Sequence, residues 1–269
     1  MLKFALTLTL ASFPVHASTP LKVLIDPGHG GRDGGAERNG TSEATLTLAV
    51  ARQLEQRLSK DRRFRVQMTR TTDQSLPLAQ RARLAKETRA DIFVSIHVNS
   101  SPDARAKGAE FYFQNQLPPD EESMLLAHME NENESGSGRP PAYEIIEREL
   151  PAEVSTILTD LLDADRIRRS SQLSAALKGA WRGSRKSKSN SVLQAPFFVL
   201  SQVTIPSTLV ELGFITNADD YRNLTNPTVQ AKMAEDLYQG LLSYWESITK
   251  PHASRPSPSE RNSSRLPAP

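Results

Sequence analysis

The chain alternates short apolar runs with amphipathic stretches, and this alternation is the feature that most restricts its fold. The runs LKVLI (21–25), FRVQMTR (64–70) and ADIFVSIHVN (90–99) have the composition and length of strands. Between them, EATLTLAVARQLEQRL (43–58) and LPLAQRARLAKETR (76–89) place apolar residues at helical spacing. This order predicts an α/β domain with a mostly parallel sheet flanked by helices on both faces.

The same pattern continues further along the chain. GAEFYFQ (108–114) is predicted to be another strand, and we expect strands to resume at APFFVLS (195–201) and STLVELGF (207–214). Helices are then predicted near 218–224 and 227–247. The sheet therefore draws its strands from two parts of the chain.

A segment of different composition lies between these parts. Residues 118–165 contain 13 acidic residues and two basic ones, whereas residues 166–188 contain eight basic residues and no acid. Proline, glycine and serine interrupt the segment at GSGRPP (136–141). We interpret 118–188 as an inserted helical segment with a flexible middle, placed before the last strands. The alternative is that most of these charges belong to solvated helix faces.

The two ends of the chain do not fit the α/β pattern. Residues 1–17 have Lys3 near their start, then an apolar run, and end in Val15-His16-Ala17. This pattern predicts a cleaved secretory signal. The alternative is a short buried helix. The run is too short to span a membrane, so we expect an exported protein without a transmembrane segment. The chain has no cysteine, so its core or a metal must provide stability without disulfides.

The tail, 250–269, is rich in proline, serine and arginine and is predicted to be disordered. Together with Lys3 it carries more positive charge than the whole chain's net +2, so the chain between them is net acidic. This distribution gives no basic nucleic-acid surface. We assign 18–249 to one catalytic domain and expect a monomer.

Histidines stand at the ends of two predicted strands. His29 follows the first strand in the glycine-rich loop GHGGRDGG, and His97 lies near the end of the strand 90–99. A single histidine at such a place is more often structural than a ligand. Because the carboxyl ends of parallel strands meet at one edge of the sheet, two of them together favour a ligand site. The other three histidines are His16 in the signal, His128 in the charged segment and His252 in the tail.

Two glutamates complete the candidate site. Glu43 opens the first helix after the predicted N-cap Thr41-Ser42, where the helix dipole favours a charged carboxylate. Alone, a glutamate at this position is usually a capping residue. Glu211 lies in the apolar strand LVELGF, so it must be paired or functional. Burial would raise its pKa toward a value useful for proton transfer.

Two histidines, one carboxylate and no thiolate fit a catalytic zinc site with one open position. Glu211 would then take a proton from water and deliver it to the leaving nitrogen. The same ligands can hold non-haem Fe(II), which an oxidising compartment disfavours. The glycine loop does not match either phosphate-binding pattern: Asp33 falls where G-x-G-x-x-G needs its third glycine, and no Lys-Ser/Thr follows.

With these residues identified, the sequence resembles the zinc-dependent N-acetylmuramoyl-L-alanine amidases of the bacterial cell-separation type. The resemblance spans about 21–113 and 193–246. The matching stretches are VLIDPGHGGRDGGA (23–36), EATLTLAVARQLEQRL (43–58), VQMTRTTD (66–73), LAQRARLAKETRADIFVSIHVNS (78–100), GAEFYF (108–113), APFFVL (195–200) and STLVELGFITNADD (207–220).

The resemblance implies that His29, Glu43 and His97 bind zinc and that Glu211 is the catalytic carboxylate. It implies cleavage of the amide between N-acetylmuramic acid and L-alanine in peptidoglycan, during wall remodelling and daughter-cell separation. Asn99 also matches, as a residue that shapes the site through hydrogen bonds.

The resemblance also implies autoinhibition. In family members with a long insertion at the position of this acidic segment, a helix covers the zinc until an activator protein displaces it. In this chain ESMLLAHMENENE (122–134) is the candidate helix, with Glu130 or His128 near the metal. The alternative is an acidic surface helix.

Two other functions remain open on the sequence. One is a peptidoglycan-binding or activator module without turnover, and the other is a zinc carboxypeptidase or endopeptidase acting on the stem peptide. The fragments released from cell wall distinguish these functions from an amidase.

Overall fold

A computed structural model of the protein describes residues 19–131, 151–182 and 192–249. The predicted signal (1–17), the predicted flexible stretch (136–141) and the predicted disordered tail (250–269) lie outside these ranges and stay predictions.

Six strands form one central sheet. They are β1 (Leu21–Pro27), β4 (Phe64–Met68), β5 (Ile92–Asn99), β6 (Glu110–Phe113), β7 (Leu193–Gln194) and β8 (Ser207–Phe214), and their order is β4-β1-β5-β8-β6-β7. The first four in that order are mutually parallel, β6 runs antiparallel to β8, and β7 is parallel to β6. A separate ribbon pairs β2 (Glu37–Arg38) with β3 (Thr41–Ser42). The predicted, mostly parallel sheet is confirmed.

Helices cover both faces of this sheet. Within the described ranges they are α1 (Glu43–Leu58), α2 (Leu78–Glu87), α3 (Glu121–Glu130), α4 (Ala152–Ala180), α5 (Phe198–Ser201), α6 (Ala218–Leu224) and α7 (Pro227–Thr249). One apolar cluster packs α1, α4 and α7 against the sheet, and a second packs α2, α3 and α5 against the other face. Alternate residues of β1 divide between them, with Val23 and Ile25 in the first and Leu24 in the second. None of these helices is long and apolar enough to cross a membrane.

The expectation of a strand at 195–201 is wrong. Phe198–Ser201 forms a single helical turn, and the strand that precedes it is β7. Pro196 has no amide hydrogen to add to a sheet, and the Phe198 N–H is donated to the side chain of Asn131. The run is apolar because Phe197, Val199 and Leu200 pack in the second cluster. Periodicity does not separate a short buried strand from a buried helical turn.

The carboxyl-terminal part of α4 belongs to the core. Leu173, Leu177 and Trp181, spaced four apart, are buried in the first cluster. Ser174 Oγ donates to Thr208 Oγ1 on β8 at 2.8 Å. Of the described residues in the charged segment predicted at 118–188, the carboxyl-terminal part of α4 therefore belongs to the core rather than to a separate insert.

Candidate metal centre

Four side chains from separate elements converge at one edge of the sheet. His29 follows β1, Glu43 begins α1, His97 lies on β5 and Glu130 ends α3. One ligand atom from each lies within 4.8 Å of the others. Two imidazoles and two carboxylates without a thiolate are a donor set that suits zinc. The buried His29 Nε2 has no hydrogen-bond partner among the described residues, so the cluster fits a cation.

The glycines of the loop make room for these ligands. A Cβ on Gly28 would lie 2.5 Å from Cε1 of His97, and one on Gly35 would lie 2.6 Å from Oε2 of Glu43. His29 itself has a φ of 56°, a conformation that few residues other than glycine adopt. The loop therefore lets the backbone approach the ligands closely and turns the His29 side chain into the cluster.

The two histidines present different nitrogens. Asp33 Oδ2 lies 2.9 Å from Nδ1 of His29, which leaves Nε2 facing Glu43 Oε1 at 3.2 Å. His97 presents Nδ1, at 3.0 Å from Glu43 Oε1. A carboxylate on the far nitrogen fixes the orientation of a ligating histidine. Asp33 was not predicted from the sequence, although its position four residues after His29 in the same loop was the available signal.

Glu43 is held as a carboxylate by its surroundings. Ser42 caps α1 by accepting from the Thr45 N–H, which confirms the predicted N-cap. The Val98 N–H donates to Glu43 Oε1 at 2.9 Å and the Ala36 N–H to Oε2 at 3.1 Å. Although burial opposes ionisation, His29 and the other partners hold the pKa of Glu43 below its ordinary value.

The carboxylates act on the histidines in return. Burial lowers the pKa of an imidazole, but Glu130 and Glu43 outweigh it and raise the pKa of His97 to about 10. The pKa of His29 is raised for the same kind of reason, by Glu43, Asp33 and Glu130 against the effect of burial. The cluster thus attracts positive charge, which either protons or a metal ion can supply.

Two buried arginines hold the His29 loop in place by donating hydrogen bonds to its backbone carbonyls. Arg81 Nη1 pairs with Asp26 at 2.8 Å, and its Nη2 donates to the His29 carbonyl at 2.7 Å. Arg70 Nη2 donates to the Gly28 carbonyl at 2.7 Å. Although Asp26 is fully buried, Arg81 holds its pKa below the ordinary value. Neither arginine was predicted from the sequence; the available signal was that Arg81 falls on the core face of its predicted helix.

Glu211 lies beside the cluster on the central strand β8. It is opposite His97 of β5 and opposite Glu110 of β6 in strand register. The side chain is fully buried, and neither carboxylate oxygen has a hydrogen-bond partner among the described residues. Burial, together with the nearby carboxylates Glu130 and Glu43, raises the pKa of Glu211 well above its ordinary value. This is a carboxyl group suited to exchanging a proton.

The remaining predicted residues occupy different positions. Asn99 Nδ2 donates to Glu110 Oε2 at 3.1 Å, and the same oxygen accepts from the Tyr112 hydroxyl at 2.9 Å. Asn99 therefore reaches the site through the register neighbour of Glu211. His128 is exposed on α3 and outside the cluster, since residues two apart on a helix face different directions.

One cavity adjoins the cluster, and a second lies beside the neighbouring part of α3. The first has a volume of about 450 Å³ and is lined by residues that include His29, His97 and Glu130. The second, of about 320 Å³, includes Asn99 and Met129 in its wall. The last turn of α3 thus contributes to the walls of both.

Comparison with known proteins gives the family. The family model described as N-acetylmuramoyl-L-alanine amidase matches residues 23–243. N-acetylmuramoyl-L-alanine amidase AmiA of Salmonella typhimurium is 32% identical over 237 residues, which cover 87% of this chain and 80% of that protein.

Solved structures agree. An N-acetylmuramoyl-L-alanine amidase from Clostridium difficile 630 matches with a TM-score of 0.59 and 26% identity, covering 86% of this chain and 99% of that one. The CwlD amidase from Clostridioides difficile, solved in complex with the GerS lipoprotein, has a TM-score of 0.61, 22% identity and coverage of 84% and 99%, and shows the fold alone. The matched family range contains the whole cluster and Glu211, and the chain belongs to the N-acetylmuramoyl-L-alanine amidase family.

Proposed function

We propose that the protein is a zinc-dependent hydrolase that cleaves the amide between N-acetylmuramic acid and L-alanine in peptidoglycan. Family membership supports the substrate and the bond. The observation that carries the mechanism is Glu211, a fully buried carboxyl without a hydrogen bond, next to the ligand set His29, Glu43 and His97.

The roles follow from the chemistry of each group. A zinc ion held by His29, Glu43 and His97 would polarise the scissile carbonyl and make a coordinated water acidic near neutral pH. Glu211 takes a proton from the attacking water and passes it to the leaving nitrogen of L-alanine.

Digestion of purified peptidoglycan tests this proposal. We expect mass spectrometry to find free stem peptides that begin with L-alanine, no product after chelation, and recovery on adding zinc. Release of shortened peptides from intact muropeptides would instead indicate a carboxypeptidase or endopeptidase. No release in the presence of zinc, either by the native chain or by Glu130→Ala, would indicate a binding module.

We also propose that Glu130 keeps the enzyme inhibited. Its Oε2 lies 3.3 Å from His29 Nε2 and 3.1 Å from His97 Nδ1, so it takes the position that water and substrate need. The Glu130 side chain is only 14% exposed, which is consistent with a residue that blocks the metal site rather than with a surface charge. This supports Glu130, rather than His128, as the regulatory residue.

An activator protein would release this inhibition. Leu126 and Ala127 anchor α3 in the second apolar cluster, but its other face exposes apolar side chains, as does the first half of α4. These residues are Met124, Leu125, Met129, Val154, Ile157, Leu158, Leu161 and Leu162. Apolar groups exposed in such number indicate a protein contact. Replacing Ile157 and Leu161 with Asp should abolish stimulation by a periplasmic extract and leave hydrolysis by Glu130→Ala unchanged.

The proposed location is the periplasm, where the monomeric enzyme would act during cell separation. A signal at 1–17 and a substrate outside the inner membrane support it. Cell fractionation should recover the protein in the periplasm, and sequencing of its amino terminus should begin at Ser18. A protein that keeps residues 1–17 contradicts export by a cleaved signal.

A further inference from the structure

The cavity at the metal cluster is lined by one arginine whose guanidinium has no partner among the described residues. Arg32 lines this cavity together with His29 and His97, and its side chain is exposed. Within residues 19–131, 151–182 and 192–249, its guanidinium makes no ion pair or hydrogen bond. The other arginine of the wall, Arg81, is buried and already paired with Asp26.

The backbone that carries Arg32 is held in place although the side chain is free. The Arg32 N–H donates to Ser75 Oγ at 2.9 Å, and the preceding Gly31 N–H donates to Asp73 Oδ1 at 2.7 Å. The turn closes with Gly30 N–H donating to the Asp33 carbonyl at 2.7 Å. Asp33 in turn touches the His29 ring. Arg32 is therefore positioned by the same turn that orients a metal ligand.

The cavity on the other side of the last α3 turn has a different character. Among the described residues its polar lining consists of Asn99, Ser100, Ser101, Tyr112, Glu122 and Thr216, without a lysine or arginine. The first cavity also contains Asp33 and Glu130, but Asp33 is paired with His29 and Glu130 with His29 and His97. A substrate that crosses the cluster would thus meet the unpaired Arg32 guanidinium on one side and neutral or acidic groups on the other.

The proposed substrate has the matching asymmetry. On one side of the scissile amide is an amino sugar without charge, and on the other is a peptide that carries carboxylates. After L-alanine this peptide continues with γ-linked D-glutamate, whose α-carboxyl is free in some walls and amidated in others. We propose that Arg32 binds this α-carboxylate, so that the stem peptide lies in the His29–Arg32 cavity and the sugar lies toward Asn99.

This inference rests on the proposed function, and paired substrates test the two separately. Two muramyl tripeptides are compared, identical except that the second residue carries an α-carboxylate or an α-carboxamide. We expect kcat/KM to favour the carboxylate by about 10- to 100-fold, mainly through KM, because a charge-assisted hydrogen bond is lost with the amide. Arg32→Gln should reduce this preference to near unity, and Arg32→Lys should keep part of it.

Arg62→Gln is the matched control, because Arg62 is an exposed cation that precedes β4 at the opposite end of the sheet. Each comparison is made in the native sequence and in Glu130→Ala. Binding of both tripeptides to the full chain carrying Glu211→Gln gives the same comparison without turnover. Equal use and equal binding of the two substrates, or a preference that survives Arg32→Gln, overturns the Arg32 proposal. Carboxylate-selective binding without hydrolysis by any form would instead contradict the proposed amidase function.

Discussion

The edge of the sheet and the helix α3 each supply a carboxylate to the same cluster, but the two are held very differently. Glu43 is 2% exposed and accepts two backbone N–H groups, within a core formed by α1 and the sheet. Glu130 is the last residue of a helix that buries Leu126 and Ala127 and exposes Met124, Leu125 and Met129. The groups assigned to chemistry are thus fixed by many contacts, whereas the group assigned to inhibition sits on an element with a small anchored face.

The largest effect should come from the sheet edge. We expect Glu211→Gln to lower hydrolysis by about 10²- to 10⁴-fold, since it removes the proton acceptor without changing the size of the side chain. Zinc content, measured on the purified protein, should be unchanged. Glu121→Gln, an exposed change on α3, is the control and should keep full activity. More than a tenth of normal activity in Glu211→Gln would contradict its role.

The two parts of α4 allow a buried and an exposed region to be compared again, this time by their effect on stability. Leu177 is fully buried, so Leu177→Ala should lower the free energy of unfolding by about 2–5 kcal/mol. Leu161 is 63% exposed, and Leu161→Ala should change it by less than about 0.5 kcal/mol. Urea denaturation followed by circular dichroism measures both. Equal effects would mean that the carboxyl-terminal part of α4 is not part of the core.

Ligand packing at the sheet edge can be disturbed by one methyl group. Gly28→Ala places a Cβ in the space of the His97 ring, and we expect zinc affinity to fall by about 10- to 100-fold, as when a supporting contact of a ligand is lost. Competition with a chromophoric chelator measures this. In the control Gly179→Ala the new Cβ meets nothing within 4 Å, so affinity should not change. Unchanged affinity in Gly28→Ala would show that the ring can move aside.

The smallest expected effect comes from a change on α3, and it is the only one that raises activity. Glu130→Ala should raise basal hydrolysis on the order of tenfold by increasing the fraction of molecules with an open cluster. Dye release from labelled sacculi provides the measurement, with Glu121→Ala as the control on the same helix. A fall in activity would instead make Glu130 a working ligand.

The sequence predicted the fold class and the convergence of His29, Glu43 and His97, because strand and helix periods are local and parallel strands end at one edge. It did not predict that Leu173, Leu177 and Trp181 join the core, since charge composition hid their four-residue spacing. The support given by Asp33 and Arg81 was also missed. Such contacts depend on tertiary packing, which one sequence does not reveal.

The cluster is assembled from a loop, a helix start and a strand, and His97 lies 54 positions after Glu43 in the chain. An unfolded chain therefore has no short chelating motif, and the ligands meet only once β1 and β5 have paired. Closing so long a loop has an entropic cost that the sheet, not the metal, must offset first. A metal ion held by these residues would therefore bind after folding, and the metal content of a preparation would report how many molecules have built this sheet correctly.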